Sequence, residues 1–274
     1  MREHVTQGAG RAGLFIVGAF ATLALLAWTG ILGGGWAALS GESFEPPSAE
    51  HWFGTNRLGQ DVFERAMYGT GKAFRLGVSV TLLATALGAL MGALAGWSRG
   101  RWPDEIIIWL MGVLDSIPFY LFVAAVAYAL GGNEWAMTTA MVATFWTGTA
   151  RLVRAEAIRL REREYVLSAR AIGLPGHLIL WRHILPNSLH ILLVQGSLTF
   201  VATIKTEVIL SFLGLGVKEG VSWGLMLAES TQDVLTGEFG NFLAASSLLF
   251  MLLLGFNLLT DALQDAVDVR EVMP

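Results

Sequence analysis

The sequence predicts an all-α fold, that of a polytopic membrane protein with about six transmembrane helices. Hydrophobic residues make up 54% of its 274 residues and charged residues only 15%, whereas soluble domains carry about 25% charged residues. The mean hydropathy is +0.57, and several apolar runs reach the roughly 20 residues that cross a hydrocarbon core about 30 Å thick. Such runs must be helical, because backbone groups in lipid need partners within their own segment.

The apolar runs divide the chain into spans and connecting loops. An exposed loop that ends in a short amphipathic helix is expected over residues 36–72, and a further loop over 214–240. Pro118 interrupts the third run, and we expect it to kink that helix because proline removes one backbone hydrogen bond. The acidic tail, residues 260–274, is predicted to be a short helix. The six expected spans are residues 13–34, 74–97, 106–130, 135–152, 188–212 and 241–259.

This division predicts two regions. Residues 1–72 hold the N-terminal tail, the first span and an external segment, and residues 73–274 hold the core, including a polar loop at about 154–187. Six spans place both termini on one side, and the excess of Lys and Arg identifies that side as the cytoplasm. The basic residues of the other side are Arg57, Arg65, Lys72, Arg75 and Lys218. Those of the cytoplasmic side are Arg2, Arg11, Arg99, Arg101, Arg151, Arg154, Arg159, Arg161, Arg163, Arg170, Arg182 and Arg270.

Composition and motifs exclude several kinds of enzyme. The chain has no cysteine, which excludes disulfides, thiolate metal sites and a cysteine nucleophile. The patterns H-E-x-x-H and G-x-S-x-G do not occur, so an intramembrane enzyme would lack a recognisable catalytic set. Residues 69–73, GTGKA, lack the first glycine and the final hydroxyl of a phosphate-binding loop. We therefore predict that this chain catalyses no covalent chemistry.

One polar, arginine-containing segment lies between the fourth and fifth spans, at residues 164–187. Tyr165, Ala169 and Ile172 recur at spacings of four and three, which predicts an amphipathic helix with these residues on its apolar face. Ser168 beside Ala169 is also small, which leaves room for another backbone to approach closely. The first half of the segment is therefore predicted to be a helix that packs against a neighbour.

A sharp break divides this segment. Gly173 suits a helix end with positive φ, and Pro175 suits the first turn of a following helix. A second helix is expected over residues 177–185, with Pro186 ending it and starting the fifth span. Two interpretations stay open: a rigid pair of helices that docks into a partner's groove, and a helix pair on the membrane surface whose arginines bind anionic lipid.

Three charged residues lie inside predicted spans, where charge is costly and often functional. Lys205 and Glu207 are two residues apart in the fifth span, so they do not share a helix face. Asp115 lies shortly before Pro118 in the third span. One interpretation is a polar lining of a translocation path or a contact across a subunit interface. The other is structural pairing, or for Asp115 a polar partner for the backbone carbonyl that the proline frees.

The polar segment resembles the cytoplasmic loop of ABC importer permeases. That loop has the pattern E-A-A, three residues, glycine, nine residues and I-x-L-P. The matching positions here are Leu167-Ser168-Ala169, Gly173 and His183-Ile184-Leu185-Pro186. The glycine and the Leu-Pro pair keep the family spacing, whereas leucine replaces the family glutamate and the isoleucine is displaced to Ile184. The resemblance implies a contact with an ATPase through Tyr165, Leu167, Ser168, Ala169, Arg170, Gly173, Leu174, Pro175, His183, Leu185 and Pro186.

Other segments resemble one subfamily, the dipeptide, oligopeptide and nickel importer permeases, and in particular the second of their two permease subunits. Residues 51–69, with HWFGT and LGQDV, look like the external segment that follows the first span of that subunit. Residues 211–224, with SFLGLGV and SWG, resemble its late external loop, and residues 256–270, with FNLL, its C-terminus. The similarity covers about residues 50–270.

This resemblance implies a permease subunit of an ATP-driven importer in the cytoplasmic membrane of a bacterium or archaeon. Short peptides are the common cargo of the subfamily, and nickel complexes are the alternative. The implied partners are a second related permease, two cytoplasmic ATPase subunits, an external substrate-binding protein and the bilayer, with no nucleic acid. ATP and magnesium are expected on the ATPases, and no cofactor or metal on this chain. An alternative of another class is an ion-coupled secondary transporter that uses Lys205, Glu207 and Asp115; the absence of clear inverted repeats weighs against it.

Overall fold

The computed structural model describes residues 2–216 and 218–272, with side chains over 8–216 and 218–266. These residues form helices joined by loops, and their only extended pairings are two isolated bridges. The all-α prediction is therefore confirmed. The α-helices are α1 (Arg2–Trp28), α2 (Val62–Trp97), α3 (Trp102–Ser116), α4 (Phe119–Ala129), α5 (Glu134–Leu160), α6 (Glu164–Ala171), α7 (Gly176–Ile179), α8 (Leu189–Phe212), α9 (Trp223–Asp233) and α10 (Gly240–Val272).

Four helical stretches of the described chain are long and apolar enough to cross a membrane, and α3 with α4 adds a fifth if that bent pair counts as one span. The predicted fourth span, residues 135–152, lies in α5, which does not meet this test. α5 contains five threonines and Arg151, and it buries side chains from Ala136 to Leu160 against the protein. A helix surrounded by other helices needs less apolar surface than one that faces lipid. The four stretches are Gly8–Trp28, Val62–Trp97, Gly176–Phe212 and Gly240–Ala266.

Pro118 breaks the predicted third span instead of kinking it. α3 ends at Ser116, α4 begins at Phe119, and the two helices differ in direction by 96°. Ile117, the residue before the proline, has φ −91° and ψ 134°, the extended conformation that the proline ring imposes on its predecessor. The expected single kinked helix over residues 106–130 is therefore wrong.

α2 packs against α5 through a row of three glycines on one helix face, Gly88, Gly92 and Gly96. A Cβ atom at Gly92 would lie 2.5 Å from the carbonyl oxygen of Ala150, and one at Gly96 would lie 2.6 Å from that of Arg154. Small residues at every fourth position allow helix backbones to approach this closely in membranes. This contact places α5 beside α2 at the centre of the bundle.

The remaining long helices enclose a second apolar core. The Phe200 ring of α8 stacks on the Phe256 ring of α10, with centroids 3.9 Å apart. Trp223 of α9 is buried and donates its indole N–H to the carbonyl of Ala66 at 3.0 Å. The expected loop over 214–240 therefore contains a packed helix. The tail is helical to Val272 as predicted, but as the continuation of α10 and not as a short helix of its own.

Residues 35–61 connect α1 to α2 and fold onto the Val62 end of α2. The expected short helix before the second span is instead the first part of α2, which runs unbroken to Trp97. Its N-cap is Asp61, whose carboxylate accepts the Glu64 backbone N–H at 2.9 Å. The connection was expected to be exposed, but much of it is not. Its buried polar side chains are His51, Thr55, Asn56, Gln60 and Asp61.

Candidate functional site

The 164–187 segment lies at the Trp97 end of α2, opposite the 35–61 segment. Its first helix, α6, ends in a hydrogen-bonded turn at Gly173, which has φ +85°. The Gly173 N–H donates to the Arg170 carbonyl at 3.0 Å, and the Leu174 N–H donates to the Ala169 carbonyl at 3.1 Å. These two hydrogen bonds define a Schellman motif at the helix end, in which the residue after the C-cap, here Gly173, adopts the left-handed conformation. The expected positive φ at Gly173 is confirmed.

The apolar face of α6 differs from the predicted one. Val166 and Ala169 are buried and form a small cluster with Ile179 of α7. Tyr165 is exposed, and Ile172 is 77% exposed. Three-residue spacing places Val166 and Ala169 on the side that meets α7, whereas Tyr165 and Ile172 flank that contact. Of the three residues predicted for the apolar face, only Ala169 is buried.

Trp97, the last residue of α2, connects α6 and α7 to the bundle. A Cβ atom at Gly176 would lie 2.8 Å from the indole nitrogen of Trp97, so only glycine allows α7 to start this close to the ring. The Arg170 guanidinium lies 4.6 Å from the centre of that ring, an attractive cation–π arrangement. Arg161 donates to the Trp97 carbonyl at 3.2 Å. Neither the position of Trp97 between these helices nor its contact with Arg161 was predictable from the sequence pattern.

The second helix of the segment is continuous with the following span. α7 passes through a π-helical turn at Leu180–Ile184 and a 3-10 turn at Pro186–Ser188 into α8. Pro186 cannot donate a backbone hydrogen bond, and neighbouring side chains compensate. Asn187 donates to the His183 carbonyl at 2.6 Å and Ser188 donates to the Ile184 carbonyl at 3.0 Å. Pro186 therefore does not end a separate helix over 177–185, and α7 and α8 belong to one helical stretch, Gly176–Phe212.

The outer surface of this segment is largely apolar. Leu167, the residue at the family glutamate position, is 48% exposed. His183 is half buried, and its ring lies 6.0 Å from that of Tyr165. Large apolar side chains exposed together often mark a protein contact. The predicted docking residues that are exposed are Tyr165, Leu167, Ser168, Arg170, Gly173, Pro175 and Pro186; Leu174, His183 and Leu185 are half buried, and Ala169 is buried.

An ion pair stabilises the same end of the bundle. The Arg154 guanidinium of α5 donates two hydrogen bonds to the buried Asp104 carboxylate of α3, at 2.7 and 2.9 Å. The Gly100 N–H donates to the same carboxylate at 3.1 Å. Two parallel bonds between arginine and a carboxylate fix their relative orientation. This pair fixes the start of α3 against α5, and the sequence analysis gave no sign of it beyond the charges.

The three charged residues predicted for a translocation path have different surroundings. Asp115 is exposed, contacts Arg151 of α5 and lines a cleft of ≈ 390 Å³ between α4, α5 and α8. Lys205 is exposed on α8. Glu207 is buried and accepts the Ser211 hydroxyl at 2.6 Å. Asp115 and Lys205 are therefore accessible, whereas Glu207 has a structural partner within its own helix.

Within the described residues, no group of three or more His, Asp or Glu side chains is arranged to hold a metal ion. Residues 69–73, the sequence reminiscent of a phosphate-binding loop, lie inside α2. Gly69 packs there against the Trp223 ring. A helix interior has no free backbone N–H groups for phosphate, so these glycines serve helix packing.

Comparison with known proteins relates the chain to transport components of the inner membrane. Residues 84–271 match the family described as binding-protein-dependent transport system inner membrane component. The chain is 36% identical over 226 residues to the dipeptide transport system permease protein DppC of Bacillus subtilis, covering 82% of this chain and 70% of that protein. It is 34% identical over 227 residues to the oligopeptide transport system permease protein OppC of Bacillus subtilis, covering 82% and 74%. A crystal structure of an amino acid ABC transporter is similar at a TM-score of 0.46 and 20% identity, covering 73% of this chain and 95% of that chain.

Proposed function

Because this chain belongs to the family of binding-protein-dependent transport system inner membrane components, we propose that it is one of two permease subunits of an ATP-driven importer of short peptides. The names of its relatives, dipeptide and oligopeptide permeases, favour peptides over nickel complexes. The other subunits of the proposed complex are a related permease, two ATPases that bind ATP and magnesium, and an external substrate-binding protein. This chain contributes half of the membrane passage.

The 164–187 segment is proposed to be the contact with an ATPase, on the cytoplasmic side together with both termini. The observation that carries this proposal is the combination of an exposed apolar surface on α6 and α7 with a continuous connection into α8. A movement of the ATPase would displace α7 and therefore α8, because both belong to one helical stretch, Gly176–Phe212. Alternating access then follows from two arrangements whose contacts the ATPase biases.

Leucine at position 167 changes the expected chemistry of this contact. The side chain is apolar and half exposed, so burial against the partner removes apolar surface from water instead of forming an ion pair. At about 25 cal/mol per Å² of apolar area, such a contact is favourable without any charge on the partner. The proposed docking surface therefore depends on shape and apolar contact more than on the family salt bridge.

Replacing Gly173 by valine tests this role. Valine disfavours the left-handed conformation by about 1–2 kcal/mol, and no atom lies within 4 Å of the added Cβ position, so the change acts on the turn alone. In the reconstituted complex we expect roughly a tenfold loss of ATPase stimulation by the loaded binding protein, since 1.4 kcal/mol corresponds to a factor of ten.

Gly100→Val is the matched control. Gly100 also has positive φ, +74°, with open space around it, and it lies at the same end of the bundle. Stimulated ATPase activity should stay near the wild-type value in this variant. Equal stimulation in the Gly173→Val, Gly100→Val and wild-type complexes would contradict the proposed role of the segment.

A further inference from the structure

The cleft beside the break between α3 and α4 has a mixed lining. Its ≈ 390 Å³ are bounded by the aromatic rings of Phe119 and Phe145 and by the polar side chains of Thr147, Gln195 and Thr199. The 96° change of direction at Pro118 opens this space, because α4 turns away from the line of α3. Aromatic walls with hydroxyl and amide groups suit a solute that has both peptide groups and apolar side chains.

An ion pair that water can reach lies at this cleft. Asp115 lines it and contacts Arg151, and their side chains are 41% and 51% exposed. A pair this exposed to water contributes little to stability, whereas a dry, buried pair is costly to separate. Asp115 can therefore exchange Arg151 for a cationic group of a solute at little cost.

Lys205 extends the same face of α8 beyond the cleft. It follows the lining residues Leu198 and Ala202 at spacings of seven and three, which places all three on one side of the helix. A lysine inside a span is costly against lipid and normally faces a water-filled passage or a protein partner. Lys205 is thus placed to present its ammonium group to the passage that the cleft continues.

The distance from the cleft to Lys205 is on the scale of a short peptide, and Asp115 lines that cleft. Lys205 lies about 10 Å along α8 from the middle of the cleft lining near Leu198, at 1.5 Å per residue. An extended chain of three residues spans roughly 10 Å. The Lys205 end of α8 is the end nearer to α9 and the 35–61 segment, so in the proposed topology an entering solute meets Lys205 first.

We propose that this cleft is a binding site for the two charged ends of a short zwitterionic peptide. Lys205 binds the terminal carboxylate, and Asp115 binds the terminal ammonium group after releasing Arg151. This inference rests on the proposed function and adds to it the part of the substrate that the permease recognises. Glu207 has no part in the site, because its carboxylate is buried against Ser211.

The test measures ATP-driven uptake of three tripeptides into proteoliposomes that hold the full complex and its binding protein: one with free termini, one N-acetylated and one C-amidated. Lys205→Gln should lower uptake of the free and acetylated peptides roughly tenfold, which corresponds to ~1.4 kcal/mol for the loss of a hydrogen bond to a charged group, and leave the amidated peptide unchanged. Asp115→Asn should lower uptake of the free and amidated peptides and leave the acetylated one unchanged. The same binding protein is used throughout, so its own preferences cancel in each ratio of variant to wild type.

Lys218→Gln and Asp265→Asn are the controls, because both residues are exposed and lie outside the cleft; neither should change uptake. Lys205→Arg should restore uptake of the free peptide. If the wild-type complex does not take up blocked peptides, the test rests on uptake of the free peptide alone, which Lys205→Gln should lower and Lys205→Arg should retain. If Lys205→Gln or Asp115→Asn takes up the free peptide at the wild-type rate, the inference is overturned. If the wild-type complex shows no ATP-driven peptide uptake, the proposed function is overturned.

Discussion

The two ends of the molecule are held in contrasting ways. The 35–61 segment has almost no regular secondary structure, yet buried polar groups fix it to α2 and α9. The 164–187 segment is mostly helical, yet only a small apolar cluster, the Trp97 ring and one turn hold it, and its large apolar side chains face outward. Directional hydrogen bonds hold the first end in place, whereas the second exposes apolar side chains that the proposed ATPase partner would cover.

A series of side-chain hydrogen bonds holds the polar end, the 35–61 segment, against α2 and α9. His51 and Asp61 are 2.7 Å apart, and the Asn56 amide donates to the Gln60 side chain at 2.9 Å. Arg65 donates to the same Gln60 oxygen and, at 2.6 Å, to Glu229 of α9. Removing one member of such a buried network leaves its partner without a hydrogen bond, which is costly away from water. The loss of one member should therefore be felt more strongly here than at the apolar end.

The largest effect is expected from Glu229→Gln. The substitution leaves the buried Arg65 guanidinium without its carboxylate, and breaking a buried ion pair costs about 3–5 kcal/mol, or about 2 kcal/mol after allowance for the partial exposure of Glu229. We expect the unfolding midpoint of the purified protein to fall by roughly 5 °C. Glu238→Gln removes the same charge from an exposed position and should leave the midpoint unchanged; similar midpoints for both variants would contradict the contrast.

A change in pH should have an intermediate effect on the stability of the protein, through the protonation of His51. The hydrogen bond with Asp61 raises the pKa of His51 above its ordinary 6.5, with smaller contributions from the charges of Glu45 and Glu50, against a lowering by burial. A raised pKa means that this contribution to stability is full below pH 6.5 and is lost as pH rises through the folded pKa.

His51→Gln is the comparison for this effect. The unfolding midpoint of the wild type should exceed that of His51→Gln by the largest margin in mildly acidic buffer, and the margin should shrink as pH rises through the folded pKa of His51. Thermal unfolding in detergent over a pH series measures it. A margin that stays constant or grows with pH would show that the charged form of His51 does not stabilise this end.

The smallest effect is expected from Leu167→Glu, which places the family residue on the apolar end. Because Leu167 is half exposed and has no buried polar neighbour to displace, the free energy of unfolding should change by less than about 0.5 kcal/mol. Stimulated ATPase activity should also persist, because glutamate is the residue that the family pattern carries at this position of the helix, and the rest of the apolar surface stays unchanged. Loss of complex assembly in this variant would show that the partner's groove requires leucine.

The features that could be predicted from the sequence are those with a local physical cause. Gly173 has positive φ because a helix end requires it, and Pro118 interrupts a helix because of its ring. The extent of the break at Pro118 was not predictable, because the packing of α4 on α5 decides it. Trp97 was missed because an aromatic residue at a helix end has no distinguishing pattern, whereas the Gly88, Gly92 and Gly96 repeat was visible and would have identified α5 as a packed helix.

Local charge patterns could not separate the translocation candidates. Lys205 and Glu207 are equally costly in a span when only the sequence is considered. They differ because a rotation of about 200° along the helix leaves the Lys205 side chain exposed and turns that of Glu207 toward Ser211. The side of a helix that faces a passage depends on its neighbours, so it became visible only in the folded chain.

The polar composition of α5 also has a consequence for how the protein enters the membrane. Three arginines toward its end and five threonines make α5 a helix that the insertion machinery would release into lipid reluctantly, because charged residues oppose insertion. α2 precedes α5 in the chain and presents its glycine row to it. During synthesis, α2 can therefore hold α5 in the bilayer. A bulky residue at Gly92 should accordingly lower the yield of membrane-inserted protein.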